Sequence, residues 1–291
     1  MSTDHGTDTP ATDSGSPGGG RGHTTLILAL VVVGLVVVGG VAAFLSREDD
    51  QPAGSGPAPS SPTAAPAPST GAAAPGFSLP MTDDFGRRID IPNSEYGQTL
   101  AQTAPQRTPA DPEWLTAAPA GTRDKGGWQR VTGAVVPFST SDGPTGIRDG
   151  MPTGWAHTPQ GCALAAAYLS WEVNARMGDR VIRERGVIST PADLAKFDAD
   201  RAAGKIPDRA PAVLLRWLLA SDAFKIVSWA PDLCVLKLAT RNEPDKATQA
   251  ARWLGTTVSM VWTEGTWKLR PPAGGNPPQE ALASLSGWTT W

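Results

Sequence analysis

The chain has 291 residues, with 32 Gly, 28 Pro and 11 Trp, and a formal net charge of -3 at pH 7. Glycine and proline exceed their usual share, but glycine is far from the one third that collagen needs. Two cysteines exclude a multi-disulfide scaffold and a four-cysteine zinc site, and the charge argues against a dedicated nucleic-acid-binding protein. All tryptophans lie at or after Trp114, so we expect a core only in the later part of the chain.

The first part of the chain predicts three successive segments outside any folded domain. Residues 1–23 carry almost no apolar side chains, which predicts a disordered tail. Residues 24–46 contain an uncharged apolar run from Leu26 to Leu45, long enough to span a bilayer as a helix. Residues 47–76 are rich in proline and alanine and predict a semi-rigid stalk. The lipid bilayer is therefore the first predicted partner.

The orientation of this span is argued from the size of the flanking segments. Arg21 and Arg47 stand on opposite sides of the run, so the positive-inside count is a tie. A short tail inside and a large C-terminal domain outside is the common arrangement for one N-terminal span. We expect a single-pass protein of the cell membrane with a cytoplasmic N-terminus and an extracytoplasmic domain. A core helix is one alternative, but no segment near the run could cover it on all sides. A cleaved signal peptide is the other, but the run is longer than usual and lacks a basic start.

The rest of the chain predicts an arm followed by one domain. Residues 77–127 are rich in Pro, Gly, Thr and Asp, which predicts an extended arm with few regular elements. The domain is expected over residues 128–291. It opens with an alternating segment from Gln129 to Phe138 that predicts one strand, ended by a proline.

A strong helix signal follows this strand. The Thr158 hydroxyl can cap free N–H groups, and Pro159 suits the first position of a helix, which we expect to run to about Arg176. Its stripe of Leu164, Tyr168 and other apolar residues predicts packing on a sheet. Further helical segments are predicted at 179–187, at 190–202 and from residue 210.

Strands dominate the last part of the chain. The predicted strands cover residues 224–229, 234–240, 253–262 and 266–270, with a hairpin turn at 263–265. Helices followed by antiparallel strands predict an α+β domain. We favour helices packed on a curved antiparallel sheet of the NTF2-like or cystatin-like kind, preceded by one transmembrane helix.

Several segments together resemble a family of actinobacterial single-pass membrane proteins that is often encoded on conjugative elements. The matching segments are 133–139 (GAVVPFS), 142–144 (DGP), 154–161 (GWAHTPQG), 163–166 (ALAA), 261–262 (VW), 265–269 (GTWKL) and 285–288 (LSGW), with Trp291 at the end. The resemblance covers roughly residues 114–291 and implies an NTF2-like extracytoplasmic domain. It implies no activity. The family is expected to have another small apolar residue where this chain has Cys162, so the resemblance assigns that residue no functional role. Its layout is similar to the anchored scaffold subunits of conjugation and type IV secretion channels, an analogy of architecture alone.

Candidate catalytic groups are few. His157 is the one histidine after the apolar run, and without a nucleophile elbow we expect it to order the turn before the helix. Glu172 lies about 100° from the apolar stripe of its helix, which predicts a solvated position. One histidine and two distant cysteines do not make a metal site.

Two pairs of residues remain open. Cys162 and Cys234 are a candidate disulfide, since the first helix is expected to pack over the strand that carries Cys234. The alternative is that both are buried free thiols. Trp288 and Trp291 either fold back onto the domain or contact a partner.

These observations favour a non-enzymatic, membrane-anchored envelope protein, a structural or scaffold component of a conjugation or secretion-type assembly. Its expected partners are the bilayer and other envelope proteins, with no nucleic acid and no cofactor. Two alternatives stay open. In the first alternative, the extracytoplasmic domain binds a small ligand or is an NTF2-type enzyme. In the second, the protein is an accessory subunit of another envelope transport system.

Overall fold

The computed structural model describes residues 74–241 and 253–291. The predicted tail, the predicted membrane-spanning helix and the predicted stalk up to residue 73 lie outside the described residues. In the part that is described, no helix combines the length and apolar character needed to cross a bilayer. The described residues form an α+β domain in which helices pack against a six-stranded antiparallel sheet.

The elements occur in two groups, short hairpins before the helices and a large sheet after them. The strands before the helices are β1 (Met81–Thr82), β2 (Arg88–Ile89), β3 (Trp128–Val131), β4 (Ala134–Pro137), β5 (Gly146–Arg148) and β6 (Met151–Thr153). The helices are α1 (Pro159–Ala175), α2 (Arg180–Gly186), α3 (Pro191–Ala202) and the single turn α4 (Ala212–Leu215). The later strands are β7 (Ala223–Ala230), β8 (Leu233–Arg241), β9 (Trp253–Thr263), β10 (Thr266–Arg270), β11 (Gln279–Leu282) and β12 (Thr289–Thr290).

The large sheet has the strand order β10-β9-β8-β7-β12, and β11 pairs with β9 as well. A tight turn joins β9 to β10, where Glu264 and Gly265 have φ values of 53° and 74°. Positive φ at both central positions is the geometry of a two-residue hairpin whose twist matches its strands. The predicted strands and this turn agree with the observed ones to within one or two residues.

The expectation of one strand from Gln129 to Phe138 is wrong. The chain folds back inside this segment, because Thr132 and Gly133 adopt φ values of 47° and 99° and form the turn between β3 and β4. A β-branched residue rarely adopts positive φ, so Thr132 carries no turn signal. Gly133 alone hints at the hairpin.

Helix α1 is the centre of the fold. Every residue of α1 except Ser170 and Asn174 is buried, because the helix packs against both the β3–β4 hairpin and the large sheet. The expectation that Glu172 faces solvent is therefore wrong: its side chain is fully buried. The apolar stripe indicates one buried face only, whereas a helix covered on several sides has no solvated face.

The predicted arm joins the core earlier than its sequence indicates. Ile89 of β2 is completely buried in the same cluster of apolar side chains as Trp128 and Leu164. Asp90 is also buried, and its backbone pairs with β3 through the Asp90 N–H bond to Trp128 O at 2.8 Å. The segment predicted as an arm thus contributes side chains to the interior.

Candidate functional site

A cavity of about 380 Å³ lies between α1, α2 and the strands β8 and β9. Trp171 and Val173 of α1 line one part of it, and residues 256–259 of β9 line another. The loop of residues 271–278 forms a further wall. Small-molecule sites in proteins have volumes of about 300–1,000 Å³. This cavity is therefore the candidate functional site.

The cavity wall depends on a break in the edge of the large sheet. Strands β10 and β11 both pair with β9, and the loop of residues 271–278 connects them. Four prolines in this loop lack the N–H that a strand ladder requires, so the chain leaves the sheet edge after Arg270. The loop is held at its end by the Thr257 N–H, which donates to Pro278 O at 2.9 Å. The proline-rich loop therefore forms one wall of the cavity.

The charges around the cavity are all positive. Its lining contains no Asp, Glu, His or Cys, but it includes Arg183 of α2 and Arg270 at the end of β10. The Arg183 guanidinium lies 5.5 Å from the ring centre of Phe197, and it forms no ion pair with any described residue. Burial lowers the pKa of Arg183, because its charge is partly removed from water. The apolar walls thus carry a cation without an anionic partner.

Thr256 places an unused polar group in the same wall. The residue is 9% exposed, and within the described part of the chain its Oγ1 has no hydrogen-bond partner. A buried hydroxyl without a partner costs about 1–3 kcal/mol. The cavity therefore offers the guanidinium of Arg183, which has no ion-pair partner among the described residues, and a hydroxyl without a hydrogen-bond partner there.

A second cleft, of about 290 Å³, lies near the end of the chain and differs in its charges. Arg87 and Asp222 line it and form an ion pair with each other. Arg123 also lines it, and its side chain bonds Trp291 O and Thr290 Oγ1. The polar groups of this cleft are largely paired within the chain, so it is the weaker candidate for a ligand.

His157 lies outside the cavity. Its ring stacks on Trp262 with the ring centres 4.1 Å apart, and its Nε2 contacts the carbonyl oxygen of Pro231. The side chain therefore orders the turn before α1 through a backbone contact, as its position in the sequence predicts. No hydrogen bond joins its ring to a carboxylate or hydroxyl of the described residues.

The structure brings Cys162 and Cys234 together. Both side chains are completely buried and both thiols are free. Burial raises the pKa of Cys162 well above its usual value, and the neighbouring Cys234 thiol raises it further. The candidate disulfide thus has its two partners in contact, and the bond itself stays a prediction.

The start of α1 is a buried polar network. Thr158 is the N-cap residue: its Oγ1 accepts from the Gly161 N–H at 2.9 Å and donates to Asp142 Oδ1 at 2.6 Å. Pro159 occupies the first helical position. Burial raises the pKa of Asp142, and its bonds from Ser141 and Thr158 oppose that shift. The cap therefore fixes the helix to the loop before β5.

The two late tryptophans differ in their surroundings. Trp291 is 4% exposed, and its indole N–H donates to Ser221 Oγ at 3.0 Å. Its ring meets Trp128 edge-on with the ring centres 5.7 Å apart. Trp288 is half-buried. For Trp291 the structure favours packing within the chain, whereas contact of Trp288 with a partner stays a prediction.

Three residues of interest gave no useful signal in the sequence. Arg183 lies in a stretch of alternating charges, Thr256 is one of many threonines, and Glu172 lies off the apolar stripe of its helix. Only the packing of α1 and α2 on the sheet shows that the first two share a cavity and that Glu172 is buried.

The fold and the cavity define a small α+β domain with one largely apolar site. The chain belongs to the family of a domain of unknown function, DUF8175, which matches residues 90–290. No curated protein matches the chain. No solved structure matches it either.

Proposed function

We propose that the chain is a non-enzymatic envelope protein, anchored by one membrane-spanning helix, that serves as a structural or scaffold component of a conjugation or secretion-type assembly. Its N-terminus lies in the cytoplasm and its domain lies outside the membrane. The uncharged run from Leu26 to Leu45 supports the anchor. The alanine- and proline-rich residues 47–76 support a spacer between membrane and domain.

One observation carries the proposal that the domain is not catalytic. The residues that line the cavity include no Asp, Glu, His or Cys, the groups that most often act as acids, bases and nucleophiles. His157 stacks on Trp262 outside the cavity. Glu172 is buried against Thr132, apart from the residues that line the cavity. Binding, rather than chemistry, is the activity that this arrangement suits.

We also propose that the fold is NTF2-like or cystatin-like. The packing of α1 on an antiparallel sheet supports this assignment. So does the resemblance of segments between residues 114 and 291 to actinobacterial proteins encoded on conjugative elements. The proposed partners are other envelope proteins and the bilayer, with no nucleic acid.

Deletion of the gene in a host that carries the proposed conjugative element tests the scaffold role. We expect the frequency of DNA transfer to fall and to be restored by the full chain. Photo-crosslinking residues placed at the exposed apolar positions Val213 and Trp217 should capture envelope subunits, whereas one at the exposed Ser286 serves as a comparison. Unchanged transfer together with no captured envelope partner contradicts the proposal.

The cavity favours a second candidate, a domain that binds a small ligand outside the cytoplasm. An accessory role in another envelope transport system is the third candidate. A defect in uptake or export without a defect in DNA transfer would support that third role over the first.

A further inference from the structure

The walls of the cavity select for an aliphatic ligand. The lining includes five large apolar side chains, those of Trp171, Val173, Leu238, Val258 and Leu269. Burial of a flexible hydrocarbon chain against such walls is favoured by about 25 cal/mol per Å² of apolar surface removed from water. The proline-rich loop of residues 271–278 adds further apolar groups to the lining.

The polar groups at the cavity select for a negative charge. Arg183 and Arg270 line it without any acidic residue. The Arg183 guanidinium lies 5.5 Å from the ring centre of Phe197 and forms no ion pair within the described residues. The acids next to Arg183 along the chain are engaged elsewhere: Asp179 pairs with Arg176, and Glu184 pairs with Arg180. A bound carboxylate would supply the charged partner that Arg183 lacks.

The Thr256 hydroxyl is a second, independent indication of a ligand. It is buried, it lines the cavity, and it has no partner within residues 74–241 and 253–291. A hydroxyl in such a place is stabilised when a ligand oxygen bonds it. The site therefore combines apolar walls, a cation and a free hydroxyl.

We propose that this cavity binds a single-chain amphiphile with a carboxylate head group, that is, a fatty acid. The alkyl chain lies along the walls formed by α1 and β9, and the head group pairs with Arg183. This role goes beyond the scaffold function and does not depend on it, because it concerns a ligand of the domain and not its protein partners.

Photoaffinity labelling of the full chain in phosphatidylcholine nanodiscs tests the proposal. The probes are dodecanoate carrying a diazirine and the alcohol with the same chain. Labelled peptides are mapped by mass spectrometry. We expect dodecanoate to label residues of α1 and β9 that line the cavity, and unlabelled dodecanoate to compete. The alcohol should label the same peptides at least about tenfold more weakly, since it lacks the charge.

Variants separate the charge from the cavity. Arg183→Gln should reduce labelling by dodecanoate about tenfold and leave labelling by the alcohol unchanged. Arg185→Gln is the matched control, because Arg185 lies on the same helix but outside the cavity lining and pairs with Asp149. Val258→Trp fills the cavity and should abolish labelling by both probes. If that variant unfolds, as judged by circular dichroism, Ser170→Leu fills the space from the helix side.

Three results would overturn the proposal: labelling spread over the surface, equal labelling by acid and alcohol, or equal effects of Arg183→Gln and Arg185→Gln. Loss of DNA transfer in the deletion strain bears only on the scaffold role. The two proposals therefore fail independently.

Discussion

Thr132 Oγ1 donates a hydrogen bond of 2.7 Å to Glu172 Oε2, and this links the β3–β4 turn to the middle of α1. The other oxygen, Oε1, is buried without a partner among the described residues. Arg176 Nη1 lies 3.9 Å from Oε2. Burial raises the pKa of Glu172 to about 8, and the bond from Thr132 and the charge of Arg176 oppose that rise. In the folded chain the Glu172 carboxyl is therefore mostly protonated and neutral when the pH is below about 8.

The first prediction concerns stability against pH. Between a pKa of about 4.5 in the unfolded chain and about 8 in the folded chain, the folded state holds the Glu172 proton more tightly. Glu172 therefore adds to the free energy of unfolding at pH values below the unfolded-chain pKa of about 4.5. This contribution is lost as the pH rises through the folded-chain pKa of about 8. The loss amounts to a few kcal/mol at most.

Glu172→Gln should remove this decline, since the amide stays neutral at every pH. Urea unfolding of the full chain at a series of pH values measures the effect, with the exposed Glu113→Gln as control. A decline of the same size in the Glu172→Gln variant would show that another group is responsible.

The second prediction concerns the last residue. Trp291→Ala should cost about 3–5 kcal/mol of unfolding free energy, because it leaves a cavity beside Trp128 and Phe224 and removes the bond to Ser221. Trp288→Ala, at a half-buried position, should cost about 1 kcal/mol or less. Thermal or urea unfolding of both variants makes the comparison. Equal costs would contradict the assignment of Trp291 to the interior.

The third prediction concerns the two cysteines. Since both thiols are fully buried, we expect neither to react with a maleimide in the native reduced chain and both to react once the reduced chain is unfolded in urea. During folding, exchange with an oxidised dithiol protein would form the Cys162–Cys234 bond, passing two electrons and two protons to that protein. The bond should stabilise the chain by about 4 kcal/mol, because it closes a long loop.

Mass spectrometry of thiol-blocked peptides reports the bond, and urea unfolding reports its effect. Cys234→Ala provides the control that cannot form it. Rapid oxidation of the folded chain would contradict the burial of the pair, since a thiol of raised pKa in a closed interior exchanges slowly.

The sequence predicted the elements of this fold better than their contacts. The cap at Thr158 and the turn at Glu264 and Gly265 depend on local chemistry, and local patterns indicate them. The turn at Thr132 was missed because a threonine there opposes its own preference, and only surrounding contacts hold it at positive φ.

The residues of the candidate site could not be predicted from the sequence, for a different reason. Arg183 and Thr256 are far apart along the chain, and they meet in one cavity only because α2 and β9 pack around the same end of α1. No periodicity reports such a meeting. The apolar stripe of α1 predicted one buried face, whereas the burial of Glu172 required knowledge of the β3–β4 hairpin that covers a further side.

The central claim of the proposed function is that an anchored domain stands outside the membrane, and labelling of intact cells tests it most directly. Ser286 is exposed and both native cysteines are buried, so a Ser286→Cys chain presents one reactive thiol on the domain. Ser14→Cys places one in the N-terminal tail. We predict that a membrane-impermeant maleimide labels the Ser286→Cys chain in intact cells and the Ser14→Cys chain only after permeabilisation. Labelling of the Ser14→Cys chain alone in intact cells would contradict the account.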